Sequence, residues 1–256
     1  MIAKAIILGV VQGITEFFPV SSTAHLIVVP WFFGWKGDVN TLTFDVALHA
    51  GTLTALLFCF WKDWVELFTK KQKLLTIIIF ASIPAGIAGF FLNDIAEKSL
   101  REPLVISVML VAVGFVMLAA EKAGKYKDME KVDYLDALMI GIAQATALIP
   151  GVSRSGITIS AGLFKGLKRE ASARFSFLIS TPIIAGAALL HLKKLLTCPS
   201  IYDFQLFAAG LILSFITGIF AIKFLLAFLK KYALNIFVYY RFILAVVIIT
   251  GIWLRG

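Results

Sequence analysis

Cysteine and charge are both scarce in this chain, and each scarcity removes a class of protein. Two cysteines in 256 residues, Cys59 in an apolar run and Cys198 near a loop, give neither a disulfide framework nor a thiolate metal site. Charged residues make up only 15% of the chain, against 60% apolar and 13% aromatic. Soluble domains carry roughly 25% charge, so a solvated globular surface is excluded. The mean hydropathy is +0.94, and apolar runs recur at about the 20-residue length that a helix needs to cross a bilayer. The net charge of +9 does not point to nucleic acid, because Lys and Arg sit in short clusters between apolar runs, as in cytoplasmic loops. Gln12 and Glu16 interrupt the first apolar run and no small-residue cleavage pattern follows, so a removable signal peptide is not expected.

Six single-length apolar segments lie near 42–61, 74–92, 103–120, 172–192, 204–228 and 236–254 and are read as ordinary spans. Two other regions, 2–34 and 135–165, are too long for one crossing and too short for two. Each is broken by a proline followed by hydroxyls, at Pro19-Val20-Ser21-Ser22-Thr23 and at Pro150-Gly151-Val152-Ser153-Arg154-Ser155. Proline cannot continue the hydrogen-bond ladder, and irregular backbone at membrane depth must be buried in protein or line a wet cavity. Both regions are therefore predicted to be re-entrant helix pairs. Charge agrees: re-entrant pairs put the clusters at 62–73, 122–131, 165–169 and 230–231 on one side, which the positive-inside rule makes cytoplasmic. Both termini then lie outside, the first pair opens outward and the second inward.

The broken regions also resemble each other, since Gly9, Gln12 and Ser21 are spaced as Gly141, Gln144 and Ser153 are. The expected fold is an all-α polytopic membrane protein, about six full spans plus two broken pairs related as an inverted-topology repeat. It forms a single domain with halves at roughly 1–121 and 133–256. Such repeats place a site at their interface near mid-membrane, where half-helix N-termini point at anions.

The breaks carry the chemistry. Gln12 and Glu16 are four apart and share a helix face, which must look at protein or water because an ionisable group against lipid costs roughly 3 kcal/mol. Ser21, Ser22 and Thr23 are placed to cap the next half-helix, with His25 in its first turn. In the second break Arg154 stands between Ser153 and Ser155, with Thr158 one turn on. A guanidinium among hydroxyls at a helix start is what phosphate recognition asks for. The bland alternatives are capping by the hydroxyls and a purely structural Arg154–Glu16 pair; the structural and the phosphate-binding readings can hold in turn, with the pair opening to admit a ligand. Asp45 and His49 are four apart in the following span; Asp45 is a second candidate metal ligand beside Glu16, or else makes a structural hydrogen bond. Arg174 is read as a snorkelling side chain and His191 as structural.

"GVVQGITEFFPVSSTAHL", "PGVSRSGIT" and "ARFSFLISTPIIAGA" resemble the undecaprenyl-diphosphate phosphatases, the bacitracin-resistance proteins of the BacA type, over essentially the whole chain. The first family motif is Glu or Gln, three residues, then Glu; here it takes the Gln form, Gln12 to Glu16. The second, Pro-Gly-x-Ser-Arg-Ser-x-x-Thr, is complete from Pro150 to Thr158. The resemblance implies hydrolysis of undecaprenyl diphosphate in the bacterial inner membrane, helped by Mg2+ or Ca2+, at a site opening outward. It implies functional roles for Glu16, Ser22, His25, Ser153 and Arg154, with Gln12, Ser21, Thr23 and Thr158 in support. The partners expected are the polyprenyl lipid, membrane lipids and, as an open option, a second copy in a homodimer. His25 is a candidate nucleophile or general acid/base oriented by Glu16; Ser22 attacking with His25 as base is the alternative, and the residues do not choose between them. The rival reading from another class is a transporter built on the same inverted repeat.

Overall fold

Each proline-interrupted region folds as two helices with an irregular break between them. The computed structural model describes residues 1–197 and 203–255, which leaves Cys198 and the side chain of His191 outside the described set. Eleven α-helices occur among the described residues: α1 Ile2–Thr15, α2 Ser22–Phe33, α3 Leu42–Cys59, α4 Trp61–Thr69, α5 Gln72–Ser99, α6 Pro103–Glu121, α7 Tyr134–Thr146, α8 Arg154–Phe164, α9 Arg169–Thr197, α10 Phe204–Leu229 and α11 Asn235–Arg255. Helices α5, α6, α9, α10 and α11 are long and apolar enough to cross a membrane. Together α3 and α4 pass the same test as a pair bent by 63°. The six expected spans are thus present, with the first ending in a sharp bend at Phe60 rather than running straight to Trp61.

Polar contacts at the helix ends establish that the broken pairs are re-entrant. Lys4 at the start of α1 lies 5.3 Å over the ring of Trp35, just past the end of α2, so the first pair returns the chain to the side it left. In the second pair Lys165, after α8, lies 3.6 Å from Asp136 in the first turn of α7. The N–H of Lys127 also donates to Gly166 O at 2.8 Å. The two pairs open on opposite sides. With the first go the ends of α6 and α11: Arg101 donates to Asp45 at 3.0 Å, and Arg255 donates to the carbonyls of Trp31 and Phe32 at 2.7 and 2.6 Å. With the second go the ion pairs Arg174–Asp63, Lys71–Glu130 and Lys230–Glu170. Arg174 is therefore ion-paired at its span end as well as lying over the Phe60 ring. On this side Glu121 accepts from Arg169 Nε and Nη2 and from the backbone N–H of Leu234, tying the ends of α6 and α9 to the α10–α11 turn. The Lys168 ammonium, 2.7 Å from Asp128, holds that loop carboxyl below its ordinary pKa.

The halves are cross-packed: α1 of the first lies on α10 of the second, and α7 of the second on α5 of the first. Small residues make this approach possible, as in membrane helix pairs generally. Gly9 and Gly13 face the row Gly210, Ser214 and Gly218, while Gly141 meets the backbone of Ala81. A Cβ on Gly13 would stand 2.7 Å from Ser214 O and 2.8 Å from Gly218 N. Gly13→Ala is therefore expected to destabilise the detergent-purified protein by about 1–3 kcal/mol. Gly89→Ala in α5, where nothing lies within 4 Å, should leave the melting temperature unchanged or raise it; thermal unfolding of both variants checks this.

Candidate active site

Two serines in left-handed backbone shape the site. Ser21 has φ 75° and Ser153 has φ 71°, the two non-glycine residues with positive φ among those described. Such backbone is unfavourable for an L-residue and persists where the surroundings hold it, often at functional sites. Each serine caps the half-helix that follows: Ser21 Oγ accepts from the N–H of Ala24 at 3.3 Å, and Ser153 Oγ from that of Gly156 at 3.2 Å. The turn they impose makes Ser22 the first residue of α2 and Arg154 the first of α8, so both stand at positive helix ends.

Glu16 closes α1 and is almost wholly buried between them. Its Oε2 accepts from Ser22 Oγ at 2.7 Å and from Gln12 Nε2 at 3.0 Å, and its Oε1 accepts from the Arg154 guanidinium. His49 Nε2 lies 3.5 Å from Oε2. A second link joins the breaks directly, Ser155 Oγ donating to Phe18 O at 3.1 Å. The sequence-derived Arg154–Glu16 pair is thus present, and it bridges the two repeats.

A cavity of about 260 Å³ opens against this pair. Glu16, Ser21, Ser22, Thr23, Ser153, Arg154 and Asp45 all line it, so most of the residues proposed from sequence come together. Ala85 of α5, Leu148 and Ile149 after α7, and Ile184 and Ala188 of α9 supply an apolar wall. Gln12 stands behind Glu16 and orients it. His25, Ser155 and Thr158 do not line the cavity. The His25 ring is taken up by Ser21 O through Nδ1 and by Tyr240 OH through Nε2, each at 2.7 Å, and it stacks on the Tyr240 ring. Thr158 donates back to Arg154 O at 2.7 Å and meets Ser176.

Several residues that matter here carry no assigned role in the sequence reading. His49 lines the cavity, its Nδ1 donating to Asp45 O at 2.7 Å. Arg101 lines it too and holds the Asp45 carboxylate. Arg241 is fully buried and, among the described residues, donates only to backbone: Nε to Leu110 O at 3.1 Å, Nη1 to Pro19 O at 3.2 Å, and Nη2 to Met109, Gly151 and Val152 O at 2.9–3.2 Å. One guanidinium thereby satisfies carbonyls of both breaks and of α6. Its signal was available, because a lone Arg inside the apolar run 236–254 needs partners.

Arg241→Met would orphan the carbonyls of Pro19, Gly151 and Val152, at roughly 1–3 kcal/mol for each buried group left without a donor, whereas Met109 and Leu110 keep their bonds within α6. The variant is expected to melt far below the wild type or to fail to fold, with Arg241→Lys intermediate; thermal unfolding in detergent reads the order.

Comparison with known proteins gives one answer. The family model described as bacitracin resistance protein BacA matches residues 5–247. An undecaprenyl-diphosphatase of Thermodesulfovibrio yellowstonii is 60% identical over 245 residues, which cover 96% of this chain and 95% of that protein. Those of Moorella thermoacetica and Desulforudis audaxviator are 46% and 44% identical, covering 99% of this chain and 99% and 98% of theirs. With both of its motifs converging on one cavity and the family model spanning nearly its whole length, this chain belongs to the BacA family of bacitracin-resistance proteins.

Proposed function

We propose that this chain is an integral membrane phosphatase that hydrolyses undecaprenyl diphosphate to undecaprenyl phosphate and inorganic phosphate. It recycles the lipid carrier for cell-wall synthesis and so supports bacitracin resistance. The observation that carries this reading is the meeting of Glu16, Ser22 and Arg154 at two half-helix N-termini, on a cavity with an apolar wall. Positive helix ends and a guanidinium suit a diphosphate, and the wall suits the first isoprene units of a lipid tail.

In the proposed reaction the phosphate oxygens draw Arg154 away from Glu16, which leaves the carboxylate free as a base. Ser22 Oγ, already donating to Glu16, attacks the terminal phosphorus as its proton passes to the carboxylate. The bond from that phosphorus to the bridging oxygen breaks, and undecaprenyl phosphate leaves. Water then cleaves the phosphoserine and the proton returns to Ser22. Arg154 and the helix ends stabilise charge on the transferring group. His25 acts from behind, holding Ser21 and through it the start of α2.

A divalent cation, Mg2+ or Ca2+, is part of the proposal. Among the described residues no three His, Cys, Asp or Glu side chains converge, but Glu16 and Asp45 both line the cavity. One or two carboxylates plus substrate phosphates is the sparse ligand set that suits Mg2+. Bound there, the ion supplies neutralisation of the diphosphate charge. The protein is placed in the bacterial cytoplasmic membrane with both termini and the cavity mouth facing outward, following the lysine-rich loops on the opposite side.

Purified protein in detergent is expected to release phosphate from undecaprenyl diphosphate and to stop when EDTA is added. Arg154→Ala, Glu16→Gln and Ser22→Ala should each lower kcat/KM by about 10²–10⁴ while remaining folded. Substrate moved intact across proteoliposomes without phosphate release would replace this reading with a carrier. On the apolar wall, Ala188→Trp should raise KM for the long-chain substrate with little change in kcat, as loss of uniform binding requires; steady-state kinetics separates the two.

A further inference from the structure

Gln144 is 2% exposed, in the last turn of α7, and lines the cavity that holds Glu16, Ser22 and Arg154. Neither its amide nitrogen nor its amide oxygen has a hydrogen-bond partner among the described residues. A primary amide carries two donors and an acceptor, and burying all of them without partners weakens a fold.

The first repeat gives the comparison. Gln12, its counterpart, donates to the carboxylate four residues on, Glu16, at 3.0 Å. In the second repeat the residue four on is Leu148, which offers no acceptor. The same amide at the corresponding place is thus left without the anion that its counterpart has built in.

We propose that Gln144 is a substrate-binding residue, its amide N–H groups donating to the diphosphate oxygens in the place that Glu16 takes for Gln12. This rests on the phosphatase reading, since it needs a diphosphate in this cavity. The contact is with oxygens that are charged both before and during phosphoryl transfer, so Gln144 acts on binding. Together with Arg154 it brackets the headgroup from the two ends of the second break, one side chain from the end of α7 and the other from the start of α8. Lipid phosphate and diphosphate oxygens offer the same acceptors, so Gln144 also holds the product until Arg154 returns to Glu16.

The test uses Gln144→Met, which keeps the length of the side chain and removes its polar atoms, and Gln144→Glu, which removes the donors and adds a charge. For Gln144→Met we expect kcat/KM on undecaprenyl diphosphate to fall about 10- to 100-fold, mostly through KM, the size of a lost hydrogen bond to a charged group. Its melting temperature in detergent should equal or exceed that of the wild type, because the unpartnered amide is gone. Gln144→Glu should lose more than the Met variant. A Met variant within about threefold of wild-type kcat/KM, or one that loses stability in step with activity, overturns the assignment. If the wild type itself releases no phosphate, the phosphatase reading fails and this one with it. An active wild type with an indifferent Met variant sinks only the role of Gln144.

Discussion

Breaking a helix inside a membrane strands backbone groups that lipid cannot satisfy, and the arrangement of this protein follows from how two such breaks are made good. The buried Arg241 guanidinium reaches carbonyls on either side of the repeat interface, while Ser155 reaches Phe18 O and the cap serines take N–H groups of the half-helices. The breaks are therefore held against each other by the same bonds that make each one tolerable. Reactive geometry comes with it, since joining the breaks brings Glu16 and Arg154 together. That buried pair is weak evidence of stability in itself, because desolvation offsets much of its attraction. In the proposed reaction its value lies in being exchangeable for a charged ligand.

The repeat is symmetric in backbone and asymmetric in chemistry. Ser21 and Ser153 share a conformation, and Gln12 and Gln144 share burial. Yet the first break ends its helix in a carboxylate and the second begins its helix with a guanidinium. Two equivalent backbone frames thus carry side chains of opposite charge, Glu16 in one and Arg154 in the other.

Much of this was legible in the sequence because membrane depth makes rules strict. A proline beside hydroxyls in an apolar run admits few explanations, and the i,i+4 spacing of Gln12 and Glu16 is enough by itself to put both on one helix face. What could not be read were azimuths between elements distant in sequence. His25 stands three residues from Ser22, and local spacing placed them together; packing against Tyr240 of α11 turns the ring away from the cavity. His49 and Arg101 come to the cavity only because α3 and the start of α6 lie beside the first break, a relation no periodicity encodes. Arg241 was visible as an oddity, but its partners are carbonyls from α6 and from both breaks, and carbonyls have no residue type to recognise.

The left-handed turns at Ser21 and Ser153 narrow what these two positions can accept. Alanine would keep the strain and lose the cap, and glycine would relax the strain while surrendering most of the cap. Asparagine and aspartate meet both demands elsewhere, but here they would push a larger group, or a second negative charge, toward Glu16 and the space where a phosphate would sit. Serine is the smallest residue that caps, endures the backbone and leaves room, so the chemistry of the cavity is written into a choice that looks purely conformational.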